Sequence, residues 1–124
     1  MESIDIPDTV TEIGDRAFAN SGLRMLVIPS GVTAVNYDLC NENHNLNEVV
    51  FSPNTKSVEM TAFSGCSNLK NIDLPDGLEK IGKMAFLSSV NARIYIPQSV
   101  TDIEKKAFND NAVIYGYANS AAEE

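Results

Sequence analysis

One pattern recurs five times along this chain and confines it to an architecture of stacked copies. The pattern is apolar-x-apolar-Pro, then two further apolar positions, then Ala-Phe. Its clearest copy runs Ile72-Asp73-Leu74-Pro75, followed by Leu78, Ile81, Ala85 and Phe86. Four columns keep one register. The first strand position is Ile4, Leu26, Val49, Ile72 and Ile94, and the second is Ile6, Ile28, Phe51, Leu74 and Ile96. A third column is Ile13, Val35, Val58, Ile81 and Ile103. A fourth is Phe18, Cys40, Phe63, Phe86 and Phe108, preceded by Ala17, Leu39, Ala62, Ala85 and Ala107. All advance by 22, 23, 23 and 22 residues. A unit of this size buries its apolar side only against its neighbours, which is the condition for a solenoid.

Each copy opens with an alternating run such as Ile94-Tyr95-Ile96. Alternation puts the two isoleucines on one face and Tyr95 on the other. The following proline lacks the amide hydrogen that a ladder needs, so the strand ends there. One strand per copy, always regained after a return excursion, implies parallel strands stacked along an axis. At ~4.8 Å per strand, five or six strands give a sheet roughly 25 Å long. The segment ending in Ala-Phe suits one or two turns of helix on the opposite side, and the aromatic column is expected to stack into a spine. The expected fold is therefore an α/β solenoid with a parallel sheet of about five or six short strands backed by short helices.

Two copies depart from the pattern. Pro53 comes one residue late, after Ser52, and Leu39-Cys40 replaces Ala-Phe. The second departure redistributes volume, with a larger residue at the alanine site and a smaller one at the phenylalanine site, which a packed core tolerates well. Gly14 and Gly82 follow the third column in two copies. Asn36, Glu59 and Glu104 hold that position in the others, so no copy demands a positive φ there.

The Leu69 to Pro75 strand entry, the Ile-Gly-x-x-Ala-Phe runs at Ile13–Phe18 and Ile81–Phe86, and the loop Ser64-Gly65-Cys66-Ser67-Asn68-Leu69 resemble the BspA-like (Treponema pallidum-type) leucine-rich repeats. The tail from Ile114 to Glu124 resembles the closing unit of such proteins. The resemblance implies a leucine-rich repeat stack. It also implies bacterial surface or secreted proteins that attach to protein partners. On this reading residues 1–124 form one domain, with repeats at about 1–22, 23–45, 46–68, 69–90 and 91–112 and a partial closing repeat at 113–124.

Composition narrows the function. Seventeen acidic residues against nine basic give a net charge of −8, which disfavours nucleic acid and anionic membrane surfaces. No apolar run is long enough for a membrane span. The first residues carry neither a basic n-region nor an apolar h-region. That leaves a cytoplasmic location open beside the surface location the resemblance implies. The abrupt start at the first strand suggests a piece of a longer protein. Free strand edges at Ile4 and Ile114 would then allow end-to-end self-association.

No constellation marks an enzyme or a cofactor site. Cys40 and Cys66 occupy different places in the repeat, which argues for packing rather than a disulfide. His44, the only histidine, lies in a polar loop without ligand partners. What varies from copy to copy is the outward face of the strands. Met25, Val27 and Val50 are expected to form an apolar patch there. Arg93, Tyr95 and Tyr115 are expected to form an aromatic and cationic one, a composition favoured in protein contacts. These six are the candidate partner-binding residues, for a protein or glycan ligand. The alternative is a structural spacer within a longer array, with contacts only to adjacent repeats.

Overall fold

The computed structural model describes residues 3–89, 92–109 and 111–116. Residues 117–124, which hold most of the expected closing unit, lie outside the described residues, as does Asn91. The chain winds as a coil with two strand-bearing faces and one face of turns. On the front face are β1 (Met25–Val27), β3 (Glu48–Val50), β5 (Asn71–Asp73), β7 (Arg93–Tyr95) and β9 (Val113–Tyr115). On the second face are β2 (Ala34–Val35), β4 (Ser57–Val58), β6 (Lys80–Ile81) and β8 (Asp102–Ile103). All pairing is parallel, and each residue sits beside its counterpart one copy on: Ile72 with Ile94 with Ile114, and Val35 with Val58 with Ile81 with Ile103.

The repeat columns become the core. Leu26, Ile72, Ile94, Ile96, Val58 and Ile81 are buried, as are Ala62, Phe63, Ala85 and Phe86. A turn follows the second strand position in every copy: Val10, Val32, Leu78 and Val100 donate their N–H groups to the C=O groups of Pro7, Pro29, Pro75 and Pro97, and Thr55 does so to Ser52. Ser52 thus stands at the proline site itself. Its hydroxyl and the Asn54 amide both donate to the Ser30 carbonyl, tying this turn onto copy two.

The expected helices are not formed: the described residues contain strands and turns only. Two causes are visible. The third column falls within β2, β4, β6 and β8, so the return segment is itself partly strand. The residue before Ala is left-handed in every copy, at Arg16, Asp38, Thr61, Met84 and Lys106, with φ between 56° and 61°. A residue in that conformation ends a right-handed helical turn, at a cost of about 1–2 kcal/mol outside glycine. The backbone donors repay it between copies. Phe18 donates to Leu39 C=O, Cys40 to Ala62, Phe63 to Ala85 and Phe86 to Ala107, at 2.7–3.0 Å. An N–H committed to the next copy is withdrawn from a helix along its own chain. A second left-handed column, Asn20, Glu42, Gly65 and Ser88, closes the same turn.

The aromatic spine forms in part. Phe63 stacks on Phe86 with centroids 5.3 Å apart, and Phe86 on Phe108 at 5.8 Å. Phe51 meets Phe63 edge-on at 5.8 Å. Cys40 interrupts the column between Phe18 and Phe63.

The front face is not one sheet. β1 pairs with β3, and β5, β7 and β9 form a separate sheet, whereas the second face runs unbroken from β2 to β8. Ile28 N–H donates to Val50 C=O, Leu74 to Tyr95 and Ile96 to Tyr115, yet Phe51 makes no such bond to Asp73. The break falls where Phe51 brings a ring into an aliphatic column and where Ser52 and Asn54 bind copy three to copy two. Copy one forms no strand among the described residues, so the strand edge expected at Ile4 is not formed.

Candidate partner-binding face

The front strands place all six sequence-selected residues on the outward side, in two groups. Val27 lies directly beside Val50 in the β1–β3 ladder, with side chains 46% and 42% exposed. Met25 is half-buried at the start of the same strand, beside Glu48. The second group meets at Tyr115. Tyr95 is the cross-strand neighbour of Tyr115, with centroids 5.8 Å apart and ring planes at 63°. The Arg93 guanidinium lies 5.4 Å from the centre of the Tyr115 ring. Gly116, at φ 114°, has the Tyr95 ring against its backbone, where a Cβ would collide with it.

The split in the sheet separates the two groups. Between β3 and β5 lies a groove of about 730 Å³, lined among others by Glu48, Val50, Phe51, Asn71, Asp73 and Asp76. Three carboxylates and no basic side chain line it. Reading the outward columns alone misses this opening. The signal available in sequence is the late proline of copy three.

The other polar residues are tied into the coil. Asp38 is buried, ion-paired with Arg16 at 3.2 Å, and accepts from Asn41 and from the Thr61 hydroxyl. His44 is exposed, with its Nε2 3.4 Å from a Glu42 carboxylate oxygen.

Cys40 and Cys66 are both buried and free. They are closer than their repeat positions suggested: the Cys66 thiol donates to the Cys40 carbonyl at 3.1 Å. Burial pushes the Cys66 thiol up to about 12 and raises that of Cys40 further. Cys66 shares its column with Asn43 and Ser89, which also bond carbonyls, Phe18 and Cys40 for Asn43 and Cys66 for Ser89. Cys66 thus acts as an inter-copy donor as well as a packing residue. No helix of the described residues is long and apolar enough to cross a membrane.

Comparison with known proteins supplies the family. Residues 1–114 match the BspA type leucine rich repeat region in six copies. Among solved structures, a leucine-rich repeat protein from Bacteroides capillosus is 22% identical with a TM-score of 0.64, covering 92% of this chain and 77% of that one. A leucine rich cell surface protein from Faecalibacterium prausnitzii is 24% identical with a TM-score of 0.62, covering 88% of this chain but 39% of its own. A leucine-rich repeat protein from Eubacterium ventriosum is 23% identical at a TM-score of 0.54, and the chain spans 32% of it. These likenesses establish the fold. No curated protein matches the chain. With four repeat columns in register, a parallel two-faced coil and a family match over residues 1–114, the chain belongs to the BspA type leucine rich repeat family.

Proposed function

We propose that this chain is a non-enzymatic interaction module, a single domain over residues 1–124, that binds a protein or glycan partner through the front face. The observation that carries the reading is the Arg93–Tyr95–Tyr115 cluster. Tyr95 and Arg93, each in contact with Tyr115, stand with it on a strand face whose core positions do not require them. Tyrosine and arginine are enriched among the residues that dominate binding energy. Arg93 and Tyr95 stand on β7, which is paired on both sides, by β5 and β9, so the cluster is largely formed in advance and little ordering entropy is lost on association. The description of the Faecalibacterium neighbour as a cell surface protein supports a surface location, and the adhesin-like role is part of the proposal.

The test is an array of extracellular-matrix proteins and bacterial and host glycans, probed with the wild type and with the double variant Tyr95→Ser/Tyr115→Ser. Loss of the wild-type signals in a variant of unchanged denaturation midpoint is the expected result. Equal binding by an equally stable variant would remove the tyrosines from the contact.

A further inference from the structure

The outward side chains of β5, β7 and β9 form a block three strands wide. Register places Asn71, Arg93 and Val113 in one row and Asp73, Tyr95 and Tyr115 in the next. At ~4.8 Å between strands and ~3.3 Å per residue, the block measures about 10 Å by 7 Å. Tyr95 is its pivot. Asp73 and Tyr115 flank it across the strands, and Arg93 precedes it on the same side of β7. Its ring lies against the Gly116 backbone, which limits how far it can turn. The Tyr95 and Tyr115 planes differ by 63°, so the two rings form an open angle rather than a flat stack. The polar members are uncommitted. The Arg93 guanidinium lies by Tyr115, on the β9 side, whereas Asp73 stands on the β5 side. Among the described residues, no ion pair or hydrogen bond engages the side chains of Asn71, Asp73 or Arg93. Beside Tyr95 and Gly116 the surface dips into a hollow of about 420 Å³, bordered by Asp76 and Gln98.

We propose that this block binds one or two rings of a neutral hexopyranose glycan. The proposal rests on the front-face reading above and chooses its ligand class. Chemistry, charge and size each favour that choice. A pyranose ring carries C–H groups on its faces and hydroxyls around its rim. The slightly positive C–H groups suit the electron-rich face of a tyrosine ring. Hydroxyls on opposite sides of the sugar donate to the Asp73 carboxylate and accept from the Arg93 guanidinium, and the Asn71 amide does either. Asp73 and Arg93 cancel in charge. An acidic sugar would meet the carboxylate and an amino sugar the guanidinium, whereas a neutral ring meets neither repulsion. A standard protein interface takes about 800 Å² from each partner, far more than this block offers. Asn71 and Asp73 also separate it from the apolar Val27–Val50 pair on the other sheet. One pyranose fits the tyrosine angle, and the hollow beside it gives a second ring room, with the Asp76 carboxylate and Gln98 amide at its border.

The probes are the methyl glycosides of glucose, galactose and mannose, titrated into the full chain and followed by the ring-proton shifts of its tyrosines. At least one should shift Tyr95 and Tyr115 with a millimolar Kd, and Tyr95→Ser/Tyr115→Ser should abolish binding. Asp73→Asn and Arg93→Gln, both at exposed positions, keep the tyrosines and the fold. Each should weaken binding about three- to tenfold, as a hydrogen bond to a charged group is reduced to a neutral one. The uronic acid and 2-amino counterparts of the sugar that binds best carry the same ring with one charge. Each should bind about two- to fivefold more weakly. If no glycoside binds while a matrix protein still loses its signal in the tyrosine variant, the glycan proposal fails and the front-face reading stands. If that variant keeps every signal on the array, both fail. Shifts that spare Tyr95 and Tyr115, or tighter binding of a charged counterpart, overturn the proposal.

Discussion

Exchanging the sizes of two adjacent core residues in copy two gives the sharpest test of how these copies pack. Leu39 and Cys40 replace Ala-Phe, and both are buried, at 1% and 0% exposure. Leu39→Ala removes three buried carbons, a loss of about 2.4 kcal/mol at about 0.8 kcal/mol per methylene, and the residual cavity brings the cost to about 3–4 kcal/mol. Cys40→Phe alone forces a ring into a filled site beside Phe63 and costs about 1–3 kcal/mol through overpacking. Made together, the two changes restore the arrangement of copies three and four, where Ala62-Phe63 and Ala85-Phe86 sit fully buried. The ring then fills the space the leucine left and extends the Phe63–Phe86–Phe108 stack by one member. Urea denaturation of the wild type, both single variants and the double variant closes a mutant cycle. The double variant should be at least about 2 kcal/mol more stable than the sum of the single effects requires. Additivity within about 0.5 kcal/mol would refute the idea that the pair exchanges volume across a shared site.

Four other outcomes follow from particular contacts. The Cys66 thiol is held up to about 12 from an ordinary 9.0, and that of Cys40 is raised further. Above pH 9 the unfolded chain therefore releases protons that the folded chain keeps, and stability falls as pH rises, by about 1.4 kcal/mol per unit for each thiol. Comparing urea midpoints of the wild type and Cys66→Ala at pH 8 and pH 10 should show a shallower decline in the variant. Thr55 holds the site of Val32, Leu78 and Val100, with its hydroxyl buried and without a hydrogen-bond partner among the described residues. Thr55→Val should therefore raise stability by about 1 kcal/mol, read as a higher melting temperature. A Cβ on Gly82 would stand 2.6 Å from Met60 N, whereas one on Gly14 would meet nothing within 4 Å. Calorimetry should find Gly82→Ala destabilised by about 1–3 kcal/mol and Gly14→Ala neutral or up to about 1 kcal/mol more stable. Asn43, fully buried, accepts from the backbone of Ser21 and Gly22 and donates to Phe18 and Cys40 carbonyls. Asn43→Ala should cost at least about 2 kcal/mol in urea denaturation and speed amide exchange at Gly22.

The columns were legible because burial repeats with the chain. Ile72 and Ile94 are core for the same reason, and alternation alone puts Asp73 and Tyr95 outside. The return segment is ambiguous in sequence because its apolar spacing, from Ile81 to Ala85 and Phe86, also satisfies a helix. What decides against the helix is the direction of the amide bonds, such as Phe63 to Ala85 across copies. That choice is made by the neighbour, not by the local sequence. The left-handed residues give little warning either. Arg16, Thr61, Met84 and Lys106 are ordinary residues, and only Asp38 belongs to a type with some tolerance for that region. The partnership of Cys66 with the Cys40 carbonyl likewise becomes visible only once the coils are stacked.

The split in the front sheet follows from the same division of labour. In a solenoid each copy touches only its neighbours, so a junction is as strong as the faces that cross it. Between copies three and four, the second face and the turn column both cross, through Val58 with Ile81 and through Phe63 with Ala85. Those two faces hold the junction, so the front ladder is free to depart without parting the copies. Ser52 and Asn54 bind copy three to Ser30 on the opposite side, and Phe51 enlarges the column at the lip. A repeat can thus keep every core column and still lose one ladder at one junction. Phe51 and the late Pro53 are the departures from the pattern at that junction.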